Sequence, residues 1–218
     1  MKFDPSLYLV TDRALSLGRD LEWIVTEAVR GGVTMVQLRE KDCSTREFVA
    51  LGQRLKALLN DFQVPLIIND RIDVALAIQA DGVHLGQTDM PYALARQLLG
   101  PDKIIGLSVE NFEQIKQANL LDVDYIGISP IFSTPTKTNT ATPFGLEGTA
   151  TAAQLSTHPT VAIGGIHLDN VERVMATGVN GVAVVSCICS AADPTLAAKQ
   201  LKAKIDAKTS QSISLPAK

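Results

Sequence analysis

The sequence is short of cysteine, histidine and any surplus of positive charge. Its three cysteines, Cys43, Cys187 and Cys189, are a sparse and odd set. Such a set argues against a disulfide framework and points to free thiols in a reducing, cytoplasmic setting. Cys187 and Cys189 alternate in an apolar run with no histidine near them, so they read as small core fillers within a strand rather than a metal or redox pair. The formal net charge is −3, so no global basic field favours nucleic acid and any anion site must be local. No apolar run reaches the roughly 18 residues of a membrane span, and residues 1–5 carry no apolar signal core. No G-x-G-x-x-G follows the first expected strand, which removes the main dinucleotide-binding signal. The three histidines, His84, His158 and His167, form no Ser/His/Asp set. They read as structural, and histidine acid–base catalysis has weak support.

What is present is a regular alternation of short apolar runs and helical periodicities along 218 residues. Expected strands cover residues 7–10, 33–38, 65–70, 82–86, 103–109, 125–131, 160–166 and 181–188. Between them, Leu21, Ile24, Val25, Ala28 and Val29 have helical spacing and stop at Gly31-Gly32. Ser44 with Glu47 three residues on makes a capping box for a helix towards Asp61. Asp73 opens a helix through Ile78, and Pro91 sits in the first turn of one ending near Gly100. Asn111 caps a helix to about Asn119, residues 147–155 are helical, and Asp169 caps the next. A last helix begins near Asp193-Pro194 and fades by Lys208. The strands are continuous apolar runs, as in a parallel sheet covered on both faces. Eight near-equal β-then-α units predict an α/β fold of one (β/α)8 TIM barrel, residues 1–208, followed by a polar tail, residues 209–218. Eight such repeats disfavour the alternative, an open doubly wound sheet.

In such a barrel the chemistry collects at the carboxyl ends of the strands. Alternation puts Gln37, Arg39 and Lys41 on one face of the second strand. Two cations and an amide aimed together are costly to desolvate unless an anion meets them. The third strand ends in Asn69-Asp70, the fourth leads to Gln87-Thr88-Asp89, and the fifth ends at Ser108. A long polar loop at residues 133–145 carries Thr134, Pro135, Thr136 and Lys137. The seventh strand ends in Gly164-Gly165, and the eighth carries Val185-Ser186. Asp70 and Asp89 are hard oxygen donors suited to Mg2+, which would take the rest of its shell from phosphate oxygens and water. The bland readings are a helix cap for Asp89, a salt bridge to Arg71 for Asp70, and a solvated surface charge for Lys137. Gly164-Gly165 and Val185-Ser186 lie where such barrels often bind a phosphate through backbone N–H groups. Two anion sites, one with a metal, suggest a transfer reaction in which diphosphate leaves.

These residues carry a resemblance. Residues 36–41 (VQLREK), 68–71 (INDR), 82–89 (GVHLGQTD), 130–137 (PIFSTPTK), 162–166 (AIGGI) and 181–186 (GVAVVS) resemble the thiamine phosphate synthase family from Leu7 to about Ile205. The resemblance implies a transferase of thiamine biosynthesis. It would join a hydroxymethylpyrimidine diphosphate to a thiazole phosphate, plain or carboxylated, and release thiamine phosphate, diphosphate and, from the carboxylated substrate, CO2. It implies Mg2+ on Asp70 and Asp89. It assigns pyrimidine diphosphate to Gln37, Leu38, Arg39, Glu40, Lys41, Asn69, Ser108 and Lys137, with Arg39, Lys41, Lys137 and Ser108 catalytic. It assigns thiazole phosphate to Thr134, Pro135, Thr136, Gly165, Val185 and Ser186. The implied mechanism is dissociative. The implied partners are small-molecule substrates, with no nucleic acid and no membrane, and a homo-oligomer is compatible with the sequence. Ser108-Val109-Glu110, Ser129-Pro130 and the sequence from Asn139 to Thr142 depart from the usual family pattern. A related thiazole tautomerase shares the barrel, but Lys41, Asp70, Asp89 and Lys137 favour the synthase. A non-catalytic sensor of a thiamine precursor is the reading from another class.

Overall fold

The structure, a computed structural model, describes residues 3–133 and 142–213. Eight parallel strands close on themselves in sequence order: β1 Leu7–Val10, β2 Met35–Leu38, β3 Leu66–Asn69, β4 Gly82–Leu85, β5 Ile104–Val109, β6 Tyr125–Ile128, β7 Thr160–Ile163 and β8 Gly181–Val184. β8 pairs with β1 through Leu7↔Val182 and Leu9↔Val184, so the sheet has no free edge. The expected (β/α)8 barrel is the architecture found.

Alternation divides each strand between two cores. Outward residues such as Leu7, Leu9, Val36, Leu38, Val83 and Leu85 are buried beneath the helices. Inward residues such as Tyr8, Met35, Ile67, Ile104 and Tyr125 fill the barrel's lower half. Helix α1, Leu21–Arg30, buries the five residues its spacing marks, Leu21, Ile24, Val25, Ala28 and Val29. Each large apolar side chain removed from water in this way contributes roughly 1.5–3 kcal/mol.

The capping box of α2, Thr45–Phe62, is formed: Glu47 N donates to Ser44 Oγ at 3.3 Å, and Ser44 N donates to Glu47 Oε2 at 2.9 Å. Asn111 caps α5, Phe112–Ala118, by accepting from Gln114 N. Helices α3, Ile72–Ala77, α4, Tyr92–Leu99, and α6, Gly145–Leu155, shift by one or two residues from expectation, Pro91 standing just before α4 as its cap residue.

The larger departures lie in the second half. β6 stops at Ile128 because Pro130, joined to Ser129 by a cis peptide, has no N–H for the ladder. β7 stops at Ile163 because Gly164 and Gly165 take φ of 109° and 66°. β8 ends at Val184, and the apolar residues after it form α8, Ser186–Cys189, so Cys187 and Cys189 sit on a helical turn rather than a strand. α7, Val171–Met175, is preceded by Asn170 rather than capped by Asp169. Asn170 Oδ1 accepts from His167 N, while Nδ2 donates to Gly165 O. α9 runs Pro194–Ile213, past Lys208, since no proline interrupts it before Pro216. Among the described residues no helix is long and apolar enough to cross a membrane.

Two predictions follow from this packing. A Cβ at Gly82 would land on the Ile104 carbonyl of the neighbouring strand, which cannot swing aside. Gly82→Ala should lower unfolding free energy by about 1–3 kcal/mol in urea denaturation; unchanged stability would show that β4 and β5 are less tightly joined. Cys189 is buried, and burial pushes its thiol up to about 11. At pH 8 iodoacetamide should therefore modify the partly exposed Cys43 and leave Cys189 intact until the chain is unfolded; equal labelling would contradict the burial.

Candidate active site

The carboxyl ends of all eight strands open into one cavity of about 830 Å3. Its first wall is held together by β1 and β2. Thr11 N donates to Gln37 O at 2.9 Å, and Arg39 N donates to Thr11 Oγ1 at 3.0 Å. Gln37, Arg39 and Lys41 all face the cavity, as their alternation requires. The intervening side chains do not. Leu38 is buried under the helices, and Glu40 turns away to accept from Arg13 Nε at 2.9 Å. Any role of Leu38 and Glu40 towards a ligand is thus left to their backbone atoms.

The cations are matched by carboxylates. Arg39 Nη1 lies 3.3 Å from Asp12 Oδ2, and Lys41 Nζ lies 2.7 Å from Asp70 Oδ2. Asp70, just past β3, has φ of 62°, a left-handed conformation that asparagine and aspartate tolerate better than most residues. Its partner is Lys41; Arg71 pairs with Asp73 instead. Asp89 is no helix cap. Its Oδ2 folds back to accept from Gly86 N at 2.6 Å, and a Cβ at Gly86 would crowd that oxygen at 3.0 Å.

Asp70 and Asp89 meet each other. Burial alone would raise the Asp70 carboxyl, but hydrogen bonds from Lys41 and Asp89, with the Lys41 charge, outweigh it and leave Asp70 below the usual carboxylate range. Burial raises Asp89, and the neighbouring Asp70 adds to this against the pull of the Gly86 amide. The two carboxyls thus move apart, Asp70 downward and Asp89 upward, as neighbouring like charges do. Among the described residues no group of three or more His, Cys, Asp or Glu could enclose a metal. The donor set fits a hard divalent cation that takes two carboxylates from the protein and its other ligands from substrate and solvent.

Asn69 and Ser108 also line the cavity. On the far side stand Gly165, Val185 and Ser186, brought together by the turns after β7 and β8. A Cβ on Gly165 would lie 2.8 Å from Phe132 Cβ, so glycine is required where the loop after β6 crosses this turn. Thr134, Pro135, Thr136 and Lys137 lie outside the described residues.

Three inward residues were not selected from the sequence. Tyr8, His84 and Tyr125 all face the cavity. The imidazole bridges Tyr125 OH, 2.9 Å from Nδ1, and Ser108 Oγ, 2.8 Å from Nε2. His84 is thus no mere core histidine, and its parity with the strand end at Gly86 was the available signal. His158 keeps a structural place, with Nε2 3.0 Å from Ala118 O, whereas His167 reaches the cavity rim.

Residues 7–188 match the family model described as thiamine monophosphate synthase. The chain is 55% identical over 195 residues to a thiamine-phosphate synthase of Vibrio campbellii, covering 89% of this chain and 95% of the relative. It is 55% identical over 201 residues to one of Albidiferax ferrireducens, covering 92% of each. A solved thiamine phosphate pyrophosphorylase of Pyrococcus furiosus superposes with a TM-score of 0.87 at 37% identity, over 95% of this chain and 98% of that one. A 3-hexulose-6-phosphate synthase, 17% identical with a TM-score of 0.69, shares the fold alone. The chain belongs to the thiamine monophosphate synthase family.

Proposed function

We propose that this protein is a thiamine phosphate synthase that joins a 4-amino-2-methylpyrimidine carrying a diphosphooxymethyl group to a thiazole phosphate, releasing diphosphate. The observation that carries the reading is the paired Asp70 and Asp89 beside Lys41 and Arg39, lining one cavity with Gly165 and Ser186. The family relatives are named for this product. With a carboxylated thiazole the same reaction would also release CO2.

The chain's own residues divide the work. Gln37, Asn69 and Ser108 would hold the pyrimidine, and Arg39 and Lys41 its diphosphate. Lys137 is assigned to the diphosphate by the resemblance. Asp70 and Asp89 would hold Mg2+, which when bound would neutralise charge on the leaving diphosphate. Arg39 and Lys41 would stabilise the same developing charge. Departure of diphosphate leaves a pyrimidine methylene cation, so the cavity must exclude water until the thiazole nitrogen captures it. The turn at Gly164-Gly165 and the chain reversal at Val185-Ser186 would offer backbone N–H groups to the thiazole phosphate.

Incubation with both substrates and Mg2+ tests the reaction. Formation of thiamine phosphate and diphosphate is expected; an aromatised thiazole without the new C–N bond would assign the chain to the tautomerase branch instead. Asp70→Ala and Asp89→Ala should each lower kcat by about 100-fold or more without loss of the fold. Full activity of both variants, or in excess chelator, would remove the metal assignment. Ser186→Asp should raise KM for thiazole phosphate far more than KM for pyrimidine diphosphate, because a carboxylate repels the phosphate. Equal effects on both would show the two anion sites to be wrongly divided.

A further inference from the structure

A chain of buried and half-buried polar groups crosses the barrel interior at the floor of the cavity. Gln37 Nε2 donates to Tyr8 OH at 2.8 Å. Tyr8 OH lies 2.9 Å from Tyr125 OH, Tyr125 OH lies 2.9 Å from His84 Nδ1, and His84 Nε2 lies 2.8 Å from Ser108 Oγ. Five side chains from five strands, β2, β1, β6, β4 and β5, are thus joined end to end.

The barrel makes room for this chain. A Cβ at Gly106 would sit on the Tyr125 phenol, and one at Gly127 would lie 3.1 Å from His84 Cε1. Two inward positions therefore carry no side chain where the relay passes. The rings are held by packing as well, with Tyr125 stacked on His84 at 5.5 Å between centroids and edge-on to Tyr8 at 6.0 Å. Both phenols are fully buried, and burial drives their ionisation far above the usual range, so each keeps its one hydrogen.

One hydrogen per phenol makes the chain directional. Tyr8 oxygen accepts from Gln37, so the Tyr8 hydrogen goes to Tyr125 oxygen. The Tyr125 hydrogen then goes to His84 Nδ1. A neutral imidazole that accepts at Nδ1 carries its proton on Nε2 and gives it to Ser108 Oγ. Both ends are left with a defined polarity. The Gln37 amide, tied by its nitrogen, offers the cavity its oxygen as an acceptor, and the Ser108 hydroxyl, already accepting, offers its hydrogen as a donor.

We infer that the Tyr8–Tyr125–His84 relay is a positioning and specificity device, which fixes Gln37 as acceptor and Ser108 as donor so that the cavity takes an aminopyrimidine and rejects the oxo analogue. This rests on the assignment of Gln37 and Ser108 to the pyrimidine made above. An aminopyrimidine presents an N–H donor beside a ring-nitrogen acceptor. Its oxo counterpart presents the reverse, and buried groups locked in the wrong polarity reject such a ligand strongly. If the relay is cut, the Gln37 amide is free to turn and the discrimination shrinks.

Two measurements test this. In the wild-type protein at pH 8, nitrogen-15 imidazole spectra, with His84 assigned by its loss in His84→Gln, should show Nε2 protonated and Nδ1 bare. Any other protonation pattern overturns the inference, and this reading needs no turnover. In kinetics, Tyr125→Phe and Tyr8→Phe keep the rings but break the chain at two different links. Each should raise KM for the aminopyrimidine diphosphate by about 10- to 100-fold, leave KM for thiazole phosphate unchanged, and narrow the preference for amino over oxo pyrimidine. Wild-type synthesis of thiamine phosphate is the control: its absence would fell the proposed function, while an active wild type with unaltered selectivity in the variants would fell the relay alone. If neither variant folds, the tautomer measurement decides.

Discussion

Closure of the sheet by the β1–β8 pairing is the constraint on which the rest depends. Once eight short strands form a tube, every second side chain must point into it, and that narrow space must be filled. The lower half is filled with apolar bulk from Met35, Ile67, Ile104 and Val161. Higher up, the same inward parity delivers Gln37, Asn69, His84 and Ser108, then the charged residues beyond the strand ends. The site is thus the upper continuation of the barrel's own core, which gives loop-borne groups a rigid base.

Electrostatics at the rim follow from crowding like charges and then balancing them. Asp70 and Asp89 lie close enough that one carboxyl is lowered and the other raised, while the half-buried Arg39 and the exposed Lys41 each stand against a carboxylate. In the free protein they satisfy one another through Lys41–Asp70 and Arg39–Asp12. A divalent cation with a diphosphate would offer both sets stronger partners at once. A site that is internally paired when empty folds without a costly unpaired charge, yet exchanges those contacts for ligand.

The architecture was legible because periodicity repeats: eight apolar runs, each followed by helical spacing and a stop, admit few other solutions. Gln37, Arg39, Lys41, Asp70 and Asp89 were legible because polar residues at the ends of apolar strands stand out. Leu38 and Glu40 were assigned through the resemblance alone, and strand parity turns their side chains away from the cavity, leaving their backbone atoms to meet a ligand. The strand expected over residues 181–188 was too long, since an apolar run alone does not distinguish a buried strand from a helical turn. His84 looked unremarkable because its partners, Ser108 and Tyr125, are 24 and 41 residues away, and only closure of the barrel brings them into contact.

The central claim is that one cavity holds a metal–diphosphate at Asp70, Asp89, Arg39 and Lys41 and a second phosphate at Gly165 and Ser186. A crystal structure grown with thiamine phosphate, diphosphate and Mg2+ tests it most directly. The account predicts the metal between the two carboxylates, the diphosphate on the Arg39 and Lys41 side, and the product phosphate against the Gly165 and Ser186 backbone. Metal density away from Asp70 and Asp89, or the two phosphate groups in exchanged positions, would contradict it.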